Sequence, residues 1–381
     1  MLEEFLDAKP LYYDTIDYAR MPRIYKKIQQ YLKLPKIIHI IGTNGKGTTG
    51  RFLASALYSL GFSTGHYTSP HILRFNERLW LNGNDVDAKN VEKKHQELLA
   101  LLDPSDAESL SYFEYTTLLA IMLYQDVDYL VFEAGLGGEH DATAVFQNIL
   151  TLVTPIALDH EAFLGDSITS IARTKLNAIQ KEAIFGVQVY AEVQSVAKEL
   201  EDEKGISPRS YESYLTKEDY KKIEQIAKEH GLATYLRENL SLSIAALKQL
   251  GIVYEAENFK QAQLFGRLTQ LSANIIVDVG HNTLAAKRLL ESLKSFKYIL
   301  VYNSYKDKNY DEILSILAPI IKRVEIIDVD DARVESRAKI AQSLERLGLE
   351  YGTFQEIDEH KEYLVFGSFS VVEAFLKVYS E

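Results

Sequence analysis

The chain has 381 residues, and its 46% hydrophobic and 25% charged residues are typical of a folded globular protein rather than a disordered one. It carries 42 basic and 54 acidic residues, and the resulting net charge of -12 disfavours non-specific binding to nucleic acid or to anionic membranes. The absence of cysteine excludes disulfides, cysteine-ligated zinc sites and thiol catalysis.

The N-terminal sequence MLEEFLDAKPLYY begins with acidic residues and lacks the apolar segment of a signal peptide. No run approaches the roughly 18 apolar residues that indicate a membrane span. We therefore expect a cytoplasmic protein, a monomer, without nucleic-acid or membrane partners. The length exceeds what one hydrophobic core usually supports, so two domains are expected.

The first strong pattern is the apolar run KIIHII at 36–41, followed by the glycine-rich loop GTNGKGTT and the helical sequence RFLASALYSLG. Two further apolar runs, at 128–133 and 148–154, predict buried strands, and the helical stretch YFEYTTLLAIMLYQ precedes them. Strands that alternate with helices predict a mostly parallel sheet covered on both faces. Ligands of such sheets bind at the carboxyl ends of the strands.

The charged segment 196–236 is expected to form a solvated, peripheral helical layer. A second alternation follows, with apolar strands at 274–280, 298–303, 323–329 and 362–368 separated by helices. This pattern predicts a smaller, Rossmann-like α/β domain. We place the domain boundary at Gly266, which gives domains of 1–265 and 266–381.

The loop Gly42–Thr48 lies between a strand and a helix, so its N–H groups and the helix N-terminus can face phosphate oxygens. Lys46 would meet the β- and γ-phosphates of ATP, and the Thr48 hydroxyl would bind Mg²⁺. The usual phosphate-loop pattern is not met literally, because Ile40 replaces its first glycine and Gly47 separates lysine from threonine. Taken alone, the loop could equally be an ordinary turn.

That deviation is informative, because GTNGKGT resembles the phosphate loop of the Mur ligase superfamily. The following loop, TSPH with RFNER, is similar to the signature of folylpolyglutamate/dihydrofolate synthases. Further matches occur in the family's order. They are EAGLGG with DAT at 133–143, TPIALDH at 154–160 with Lys175, Gly266-Arg267, DVGHN at 278–282, and GSF at 367–369.

The resemblance implies a Mur ligase type of fold, with an N-terminal P-loop domain that binds ATP and a pterin substrate. The C-terminal domain would contribute to a cleft for glutamate and ATP. The implied ATP-binding residues are Gly42, Thr43, Asn44, Gly45, Lys46, Gly47, Thr48, Asn239, Arg267, Asp278 and His281. The implied substrate-binding residues are Ser69, Pro70, His71, Arg74, Asn76, Phe113, Asp141 and Ala142.

The resemblance also implies Mg²⁺ ligands at Thr48, Glu133, His160 and Lys175. Lys175 would be carbamylated, which turns its cation into a carboxylate-like ligand. The implied catalytic residues are Lys46, His160, Lys175 and Arg267. Plainer alternatives remain open, since His160 could be a histidine hydrogen-bonded in a turn, and Lys175 a solvated helical side chain.

Asn239 opens the predicted helix RENLSLSIAAL, where it could contact adenine or simply end the helix. The sequence also departs from the family pattern. Phe265 replaces a proline, Gly280 and Thr283 replace alanine and proline, and Glu139-His140 replaces an arginine and an apolar residue. The last change lies in residues 133–143, the loop that the resemblance places on the pterin side of the site and that we call the pterin-side loop.

The resemblance implies an ATP-dependent amide ligase that adds L-glutamate to dihydropteroate and to reduced folates through an acyl phosphate. The alternatives are a Mur-type ligase of peptidoglycan precursors and a P-loop nucleotide switch that forms no amide bond. The Ser-Pro-His loop favours a folate acceptor over the peptidoglycan precursor of a Mur-type ligase. The second would not need a further α/β domain with Arg267, Asp278 and His281.

Overall fold

The computed structural model describes residues 1–10, 17–293 and 297–380. The chain divides into two compact units. Unit 1 comprises Met1–Ala157, Glu161–Leu232 and Leu236–Gln263, and unit 2 comprises Leu158–His160, Ala233–Tyr235 and Leu264–Glu381. Two short segments from the first part of the sequence therefore belong to unit 2.

Unit 1 is built on a mixed sheet, to which the described residues contribute strands in the order β4-β3-β2-β5-β1-β6-β7-β8. The strands β2, β3 and β4 pair antiparallel at one edge, and the remaining pairs are parallel. The strands are β1 (Lys36–Ile41), β2 (Thr64–Tyr67), β3 (Leu79–Leu81), β4 (Asn84–Asp85), β5 (Tyr129–Glu133), β6 (Leu150–Val153), β7 (Glu182–Phe185) and β8 (Ser207–Ser210).

Helices cover both faces of this sheet, as the continuous apolar strands predict. They are α1 (Leu2–Asp7), α2 (Arg20–Ile28), α3 (Lys46–Ser59), α4 (Ala88–Leu101), α5 (Pro104–Ser109), α6 (Tyr112–Leu123), α7 (Glu161–Leu164), α8 (Ile168–Leu176), α9 (Ala191–Lys204), α10 (Lys217–His230) and α11 (Thr234–Gln249).

The central strand β1 shows how the two faces are filled. Ile37 packs with side chains of α2 and α6, whereas Ile38 and Ile40 pack with α3 and α11 on the opposite face. This alternation follows from the two-residue period of a strand. After Lys36, the one polar residue of β1 is His39, and it is buried.

Unit 2 contains a second sheet, in the order β13-β12-β11-β14-β10-β9 for the described residues. Its pairs are parallel except for β9 with β10. The strands are β9 (Thr269–Ser272), β10 (Ile275–Asp278), β11 (Tyr298–Tyr302), β12 (Ile321–Ile326), β13 (Tyr351–Thr353) and β14 (Tyr363–Phe366). The helices are α12 (Thr283–Ser292), α13 (Tyr310–Leu317), α14 (Arg337–Arg346) and α15 (Phe369–Tyr379).

The strands and helices predicted from apolar runs are confirmed, and so is the α/β fold with a mostly parallel sheet in each unit. The prediction for 196–236 was incomplete, because this segment also contains the edge strand β8. The placement of Asn239 at a helix start was wrong. The helix begins at Thr234, so Asn239 lies inside it and is buried.

The continuous part of unit 2 begins at Leu264, close to the boundary expected at Gly266. The division into domains of 1–265 and 266–381 stays a prediction. Among the described residues, no helix combines the length and the apolar character needed to cross a membrane.

Candidate functional site

The glycine-rich loop of unit 1 connects the end of β1 to the start of α3. Gly42 has φ 135° and Gly45 has φ 88°, a region of backbone conformation that favours glycine. A Cβ atom on Gly42 would lie 2.1 Å from Thr154 Oγ1, and one on Gly45 would lie 2.5 Å from Asn239 Oδ1. The loop therefore needs glycine at both positions, because neighbouring groups approach its backbone closely.

The N-terminus of α3 is the part of this loop suited to an anion. Because α3 begins at Lys46, the N–H groups of its first turn have no acceptor within the helix. The N–H groups of Thr43 and Asn44, in contrast, donate to Pro155 O at 2.9 and 3.2 Å. The phosphate-facing donors expected across the whole loop are thus concentrated at Lys46–Thr48.

Glu133, at the end of β5, joins the glycine-rich loop to the loop that follows β2. Its Oε2 accepts hydrogen bonds from Thr68 Oγ1 and from the Ser69 N–H, the latter at 3.3 Å. Its Oε1 lies 3.9 Å from Lys46 Nζ, which also donates to the carbonyl oxygen of Gly42 at 3.3 Å. One buried carboxylate thereby holds both loops at the carboxyl edge of the sheet.

Thr48 has the features expected of a metal ligand. Its side chain is buried, and its Oγ1 has no hydrogen-bond partner among the described residues. The Thr48 hydroxyl at the start of α3 and the Glu133 carboxylate, which lies 3.9 Å from Lys46 of the same helix, are the hard oxygen donors that Mg²⁺ prefers. The residues present therefore fit a magnesium ion, with Thr48 and Glu133 as the protein groups that would hold it.

Lys175 lies on α8 and is almost fully buried, so the alternative of a solvated helical side chain is wrong. Its Nζ donates to Gly42 O at 3.1 Å and to Leu136 O. The side chain therefore connects the glycine-rich loop with the loop that follows β5. The carbonyl oxygen of Gly42 thus accepts hydrogen bonds from both Lys175 and Lys46.

The loop after β2 contains a cis Ser69–Pro70 peptide bond and a fixed histidine. The Nε of Arg78 donates to His71 Nδ1 at 2.7 Å. Burial, together with the charge of Arg78, lowers the pKa of His71 to about 3. His71 is consequently neutral at pH 7, and the ring proton lies on Nε2.

Other residues of this loop serve its internal structure. Glu77 accepts hydrogen bonds from the N–H groups of Ile72, Leu73 and Arg74, and Asn76 donates to Val86 O. The side chain of Arg74 is largely exposed. These contacts do not test the substrate contacts expected for Arg74 and Asn76.

The loop that follows β5 is packed against the start of α6. A Cβ atom on Gly135 would lie 2.7 Å from the ring of Phe113, and that ring stacks on Tyr67. Farther along, the Asp141 carboxylate accepts hydrogen bonds from the Gly137 N–H at 2.9 Å and the Thr143 N–H at 3.0 Å. Phe113 of α6 thus packs against the start of this loop, and Asp141 lies at its end. Ala142 follows in a buried turn.

In unit 2, Asp278 ends β10 and holds the neighbouring chain in place. It accepts hydrogen bonds from the N–H groups of Gly280 and Leu268 at 2.7 and 2.9 Å, and from Tyr235 OH at 3.1 Å. Burial raises the pKa of Asp278, and Arg267 and these donors oppose the rise. The Arg267 guanidinium lies 5.2 Å from the ring of Phe369.

A second carboxylate of unit 2, Asp159, lies at the centre of a polar cluster. It pairs with Lys308 at 2.6 Å and accepts from Asn282 at 3.1 Å, and His281 Nε2 lies 3.5 Å away. Burial alone would raise the pKa of Asp159, but His281, His160 and Lys308 outweigh it and hold that pKa well below the usual value. His160 adopts a left-handed φ of 53° beside it.

No protein-family model matches the chain. The Escherichia coli (strain K12) dihydrofolate synthase/folylpolyglutamate synthase is 30% identical over 363 residues, which cover 89% of this chain and 83% of that protein. The chain belongs to the dihydrofolate synthase/folylpolyglutamate synthase family.

Solved structures of this family share the fold along the whole chain. The crystal structure of Helicobacter pylori folylpolyglutamate synthetase is similar with a TM-score of 0.81 and 39% identity, covering 100% of this chain and 98% of that one. E. coli FolC in complex with DHPP and ADP is similar with a TM-score of 0.82 and 27% identity, covering 100% and 97%. The predicted Mur ligase type of fold is thereby confirmed.

Within unit 1 the structure brings together most of the family residues expected from the sequence, namely the phosphate loop, Glu133, Lys175, Asn239 and the Ser69–His71 loop. Within unit 2 it brings together Asp278 with Arg267, and His160 with His281. Sequence reasoning missed Arg78, Tyr235 and Lys308. Only Arg78 had a signal, as the last residue of RFNER, whereas Tyr235 and Lys308 reach their carboxylates from distant parts of the sequence.

Proposed function

We propose that this protein is an ATP- and magnesium-dependent ligase that joins L-glutamate to a pterin-bearing carboxylate. One structural observation in particular supports the proposal. Glu133 accepts hydrogen bonds from Thr68 and Ser69 of the loop that follows β2, and it lies 3.9 Å from Lys46 of the phosphate loop. ATP bound at the phosphate loop and an acceptor carboxylate bound at the loop after β2 would then lie on either side of Glu133.

The proposed reaction has two steps. An oxygen of the acceptor carboxylate attacks the γ-phosphorus of ATP, the bond to the β-phosphate oxygen breaks, and ADP leaves an acyl phosphate behind. The amine of glutamate then attacks the acyl carbon, the C–O bond breaks, and phosphate departs as the amine proton passes to solvent. No side chain forms a covalent bond in either step.

Lys46 and the N-terminus of α3 would offset the negative charge that gathers in the first step. Magnesium, held by Thr48 and Glu133, would polarise the phosphoryl oxygens. In the family pattern His160 is a further metal ligand. Asn239 lies against Gly45 and is suited to contact the nucleotide, and Arg267, Asp278 and His281 of unit 2 are the proposed remaining nucleotide-binding residues.

We also propose that Lys175 is carbamylated in the active enzyme. Its amine is buried and donates to the carbonyl groups of Gly42 and Leu136, and Gly42 is also bound by Lys46 of the phosphate loop. Addition of CO₂ to the neutral amine would convert the group into an anionic oxygen ligand. Native mass spectrometry of the intact, folded protein tests this, with an increase of 44 Da that is absent in Lys175→Arg as the expected result.

The proposed acceptors are dihydropteroate and reduced folates. The E. coli relative carries both activities in its name, and the H. pylori structure is named for polyglutamation alone. The substrate-binding residues proposed for both are Ser69, Pro70, His71, Arg74, Asn76, Phe113, Asp141 and Ala142. The cytoplasmic location and the monomeric state stay predictions from the sequence.

The test is a product assay with ATP, Mg²⁺ and L-glutamate, with dihydropteroate or tetrahydrofolate offered in parallel. Mass analysis should show one added glutamate on dihydropteroate and one or more on tetrahydrofolate, with ADP formed in equal amount. ADP release without an amino acid would support a nucleotide switch instead. Product with UDP-muramyl acceptors only would support a peptidoglycan ligase.

A further inference from the structure

A histidine lies in the middle of β1, where the strand is otherwise apolar after its first residue. His39 is buried, and its Nε2 lies 2.8 Å from Thr143 Oγ1. The same Thr143 hydroxyl lies 2.6 Å from Asp141 Oδ1. The three side chains thus form a chain of hydrogen bonds that connects the strand before the phosphate loop to the end of the pterin-side loop.

The direction of this chain follows from which groups can donate. Asp141 is a carboxylate that only accepts, so the Thr143 hydroxyl donates to it. The same hydroxyl must then accept from His39, which places the imidazole proton on Nε2. His39 Nδ1 is buried and has no partner among the described residues, which also disfavours a proton at that nitrogen.

The side chains of His39 and Thr143 are both buried, which restricts their movement. Burial lowers the pKa of His39 to about 4, despite the opposing charge of Asp141, so the imidazole is neutral at pH 7. Thr143 is buried as well, within the short helical turn Ala142–Val145. A neutral donor held by β1 therefore orients the hydroxyl that binds Asp141.

We propose that His39 is a positioning residue for the acceptor: through Thr143 it fixes the carboxylate of Asp141 and with it the loop of residues 135–141. Asp141 Oδ1 is taken by Thr143, and Oδ2 accepts the Gly137 N–H, so the rotation of the carboxylate is set from both sides. The inference rests on the proposed function, in which Asp141 contacts the pterin-bearing substrate.

The experiment compares pairs of variants in steady-state kinetics with dihydropteroate. His39→Leu removes the donor, whereas His39→Gln keeps an N–H group at the position of Nε2. Thr143→Val removes the hydroxyl with little change of shape, whereas Thr143→Ser keeps it. Thermal unfolding and the KM for ATP are measured for each variant, because a general disturbance of β1 would alter both.

We expect His39→Leu and Thr143→Val each to raise the KM for dihydropteroate about tenfold, as the loss of one buried hydrogen bond does, with kcat and the KM for ATP within about twofold. The double variant should be no worse than the poorer single one, because both changes break the same chain. His39→Gln and Thr143→Ser should recover most of the affinity.

An unchanged KM for dihydropteroate in folded Thr143→Val would overturn the inference, even if His39→Leu failed to fold. The inference would also be overturned if, in both His39→Leu and Thr143→Val, the KM for ATP rose as much as the KM for dihydropteroate. The effect of each change would then be structural. Failure of the proposed function gives a different result, because the unmodified protein would form no glutamyl product at all.

Discussion

Asp159 and Lys308, 149 residues apart in the sequence, form a buried ion pair with 2.6 Å between Oδ1 and Nζ. Burial alone would lower the pKa of Lys308, but Asp159 and then Asp307 raise it. This pair connects the short segment Leu158–His160 to the rest of unit 2. The position of His160 therefore depends on a lysine that no local motif identifies.

Lys308→Met should lower the free energy of unfolding by about 3–5 kcal/mol, because it leaves the buried Asp159 without its closest cation. Urea unfolding followed by circular dichroism measures the loss. The matched control is Lys306→Met, an exposed lysine two residues away, which should cost about 1 kcal/mol or less. The double variant Asp159→Asn/Lys308→Met should recover part of the loss; equal costs for Lys308→Met and Lys306→Met would contradict the argument.

Thr48→Val should separate metal binding from folding. Thr48 Oγ1 is buried and has no hydrogen-bond partner in the described part of the chain, so its removal should leave stability unchanged or raise it by up to about 1 kcal/mol. The rate should fall at least tenfold at low Mg²⁺, with a higher Mg²⁺ requirement. Titration of activity with MgCl₂ measures this.

Thr49→Val is the control for that experiment. Thr49 is the next residue of α3, and its Oγ1 is likewise buried without a partner among the described residues. The free energy of unfolding of Thr49→Val should change as that of Thr48→Val does. The dependence of its activity on Mg²⁺ should match that of the unmodified protein. The same Mg²⁺ dependence in both variants would remove Thr48 from the metal site.

Gly45→Ala should weaken nucleotide binding more than tenfold while the protein stays folded. The new Cβ would lie 2.5 Å from Asn239 Oδ1, at a φ of 88°. Gly61→Ala is the control, because Gly61 has a similar φ of 91° but nothing within 4 Å of its Cβ position. ADP titration by calorimetry should show weakening of more than tenfold for Gly45→Ala only. If both variants bind ADP equally, the contact with Asn239 is unimportant.

The sequence predicted those parts of the fold that carry an apolar run. The strands β1, β5, β6 and β14 were found for this reason, and so was the glycine-rich loop between β1 and α3. The edge strand β8 was missed because its sequence SPRS has no apolar pattern and contains a proline, which edge strands tolerate. The predicted start of α11 at Arg237 is three residues late, because residues 234–236 fall at the end of the charged segment 196–236 and were not counted with this helix.

The candidate site was predictable where family motifs mark it and not elsewhere. Glu133 and Lys175 were identified by position in a motif, but their contacts with Thr68 and Gly42 follow only from the fold. The pairing of Tyr235 with Asp278 has no sequence signal, because the two residues are 43 positions apart. Side chains that reach a site from another element cannot be assigned from local spacing.

Asp219→Asn should destabilise the protein in a pH-dependent way. Asp219 lies in the first turn of α10, where it accepts hydrogen bonds from Thr216, from Tyr254 OH at 2.8 Å and from Lys248 at 3.1 Å. Burial would raise the pKa of Asp219, but these donors outweigh it and lower the pKa to about 2. Its stabilising effect is thus fully present above the unfolded pKa of about 3.9 and is lost as the pH falls through about 2.

Urea unfolding at pH 7, 5 and 3 should show the variant about 2 kcal/mol less stable at the two higher pH values and a smaller difference at pH 3. Asp126→Asn is the control, since the side chain of Asp126 is 94% exposed. It should differ from the unmodified protein by less than about 0.5 kcal/mol at every pH. A difference for Asp219→Asn that grows toward pH 3 would show that the sign is wrong.

Arg20→Met should loosen the start of α6, which carries Phe113. The Nε of Arg20 donates to both carboxylate oxygens of Glu114, at 3.1 and 3.0 Å, and Glu114 also accepts from the Ser111 N–H at 2.8 Å. Because this pair is largely buried, its loss should cost about 3 kcal/mol of unfolding free energy. The KM for the acceptor should rise as well, since Phe113 would no longer be held over Gly135.

Arg23→Met, one turn farther along α2, is the matched control. Arg23 pairs with Asp17 at 3.3 Å, and both side chains are about half exposed, so its loss should cost less than about 0.5 kcal/mol. Combining Arg20→Met with Glu114→Gln should recover part of the stability, because the uncompensated carboxylate is removed. A normal acceptor KM in a destabilised Arg20→Met protein would confine the role of this pair to folding and exclude a role in holding Phe113.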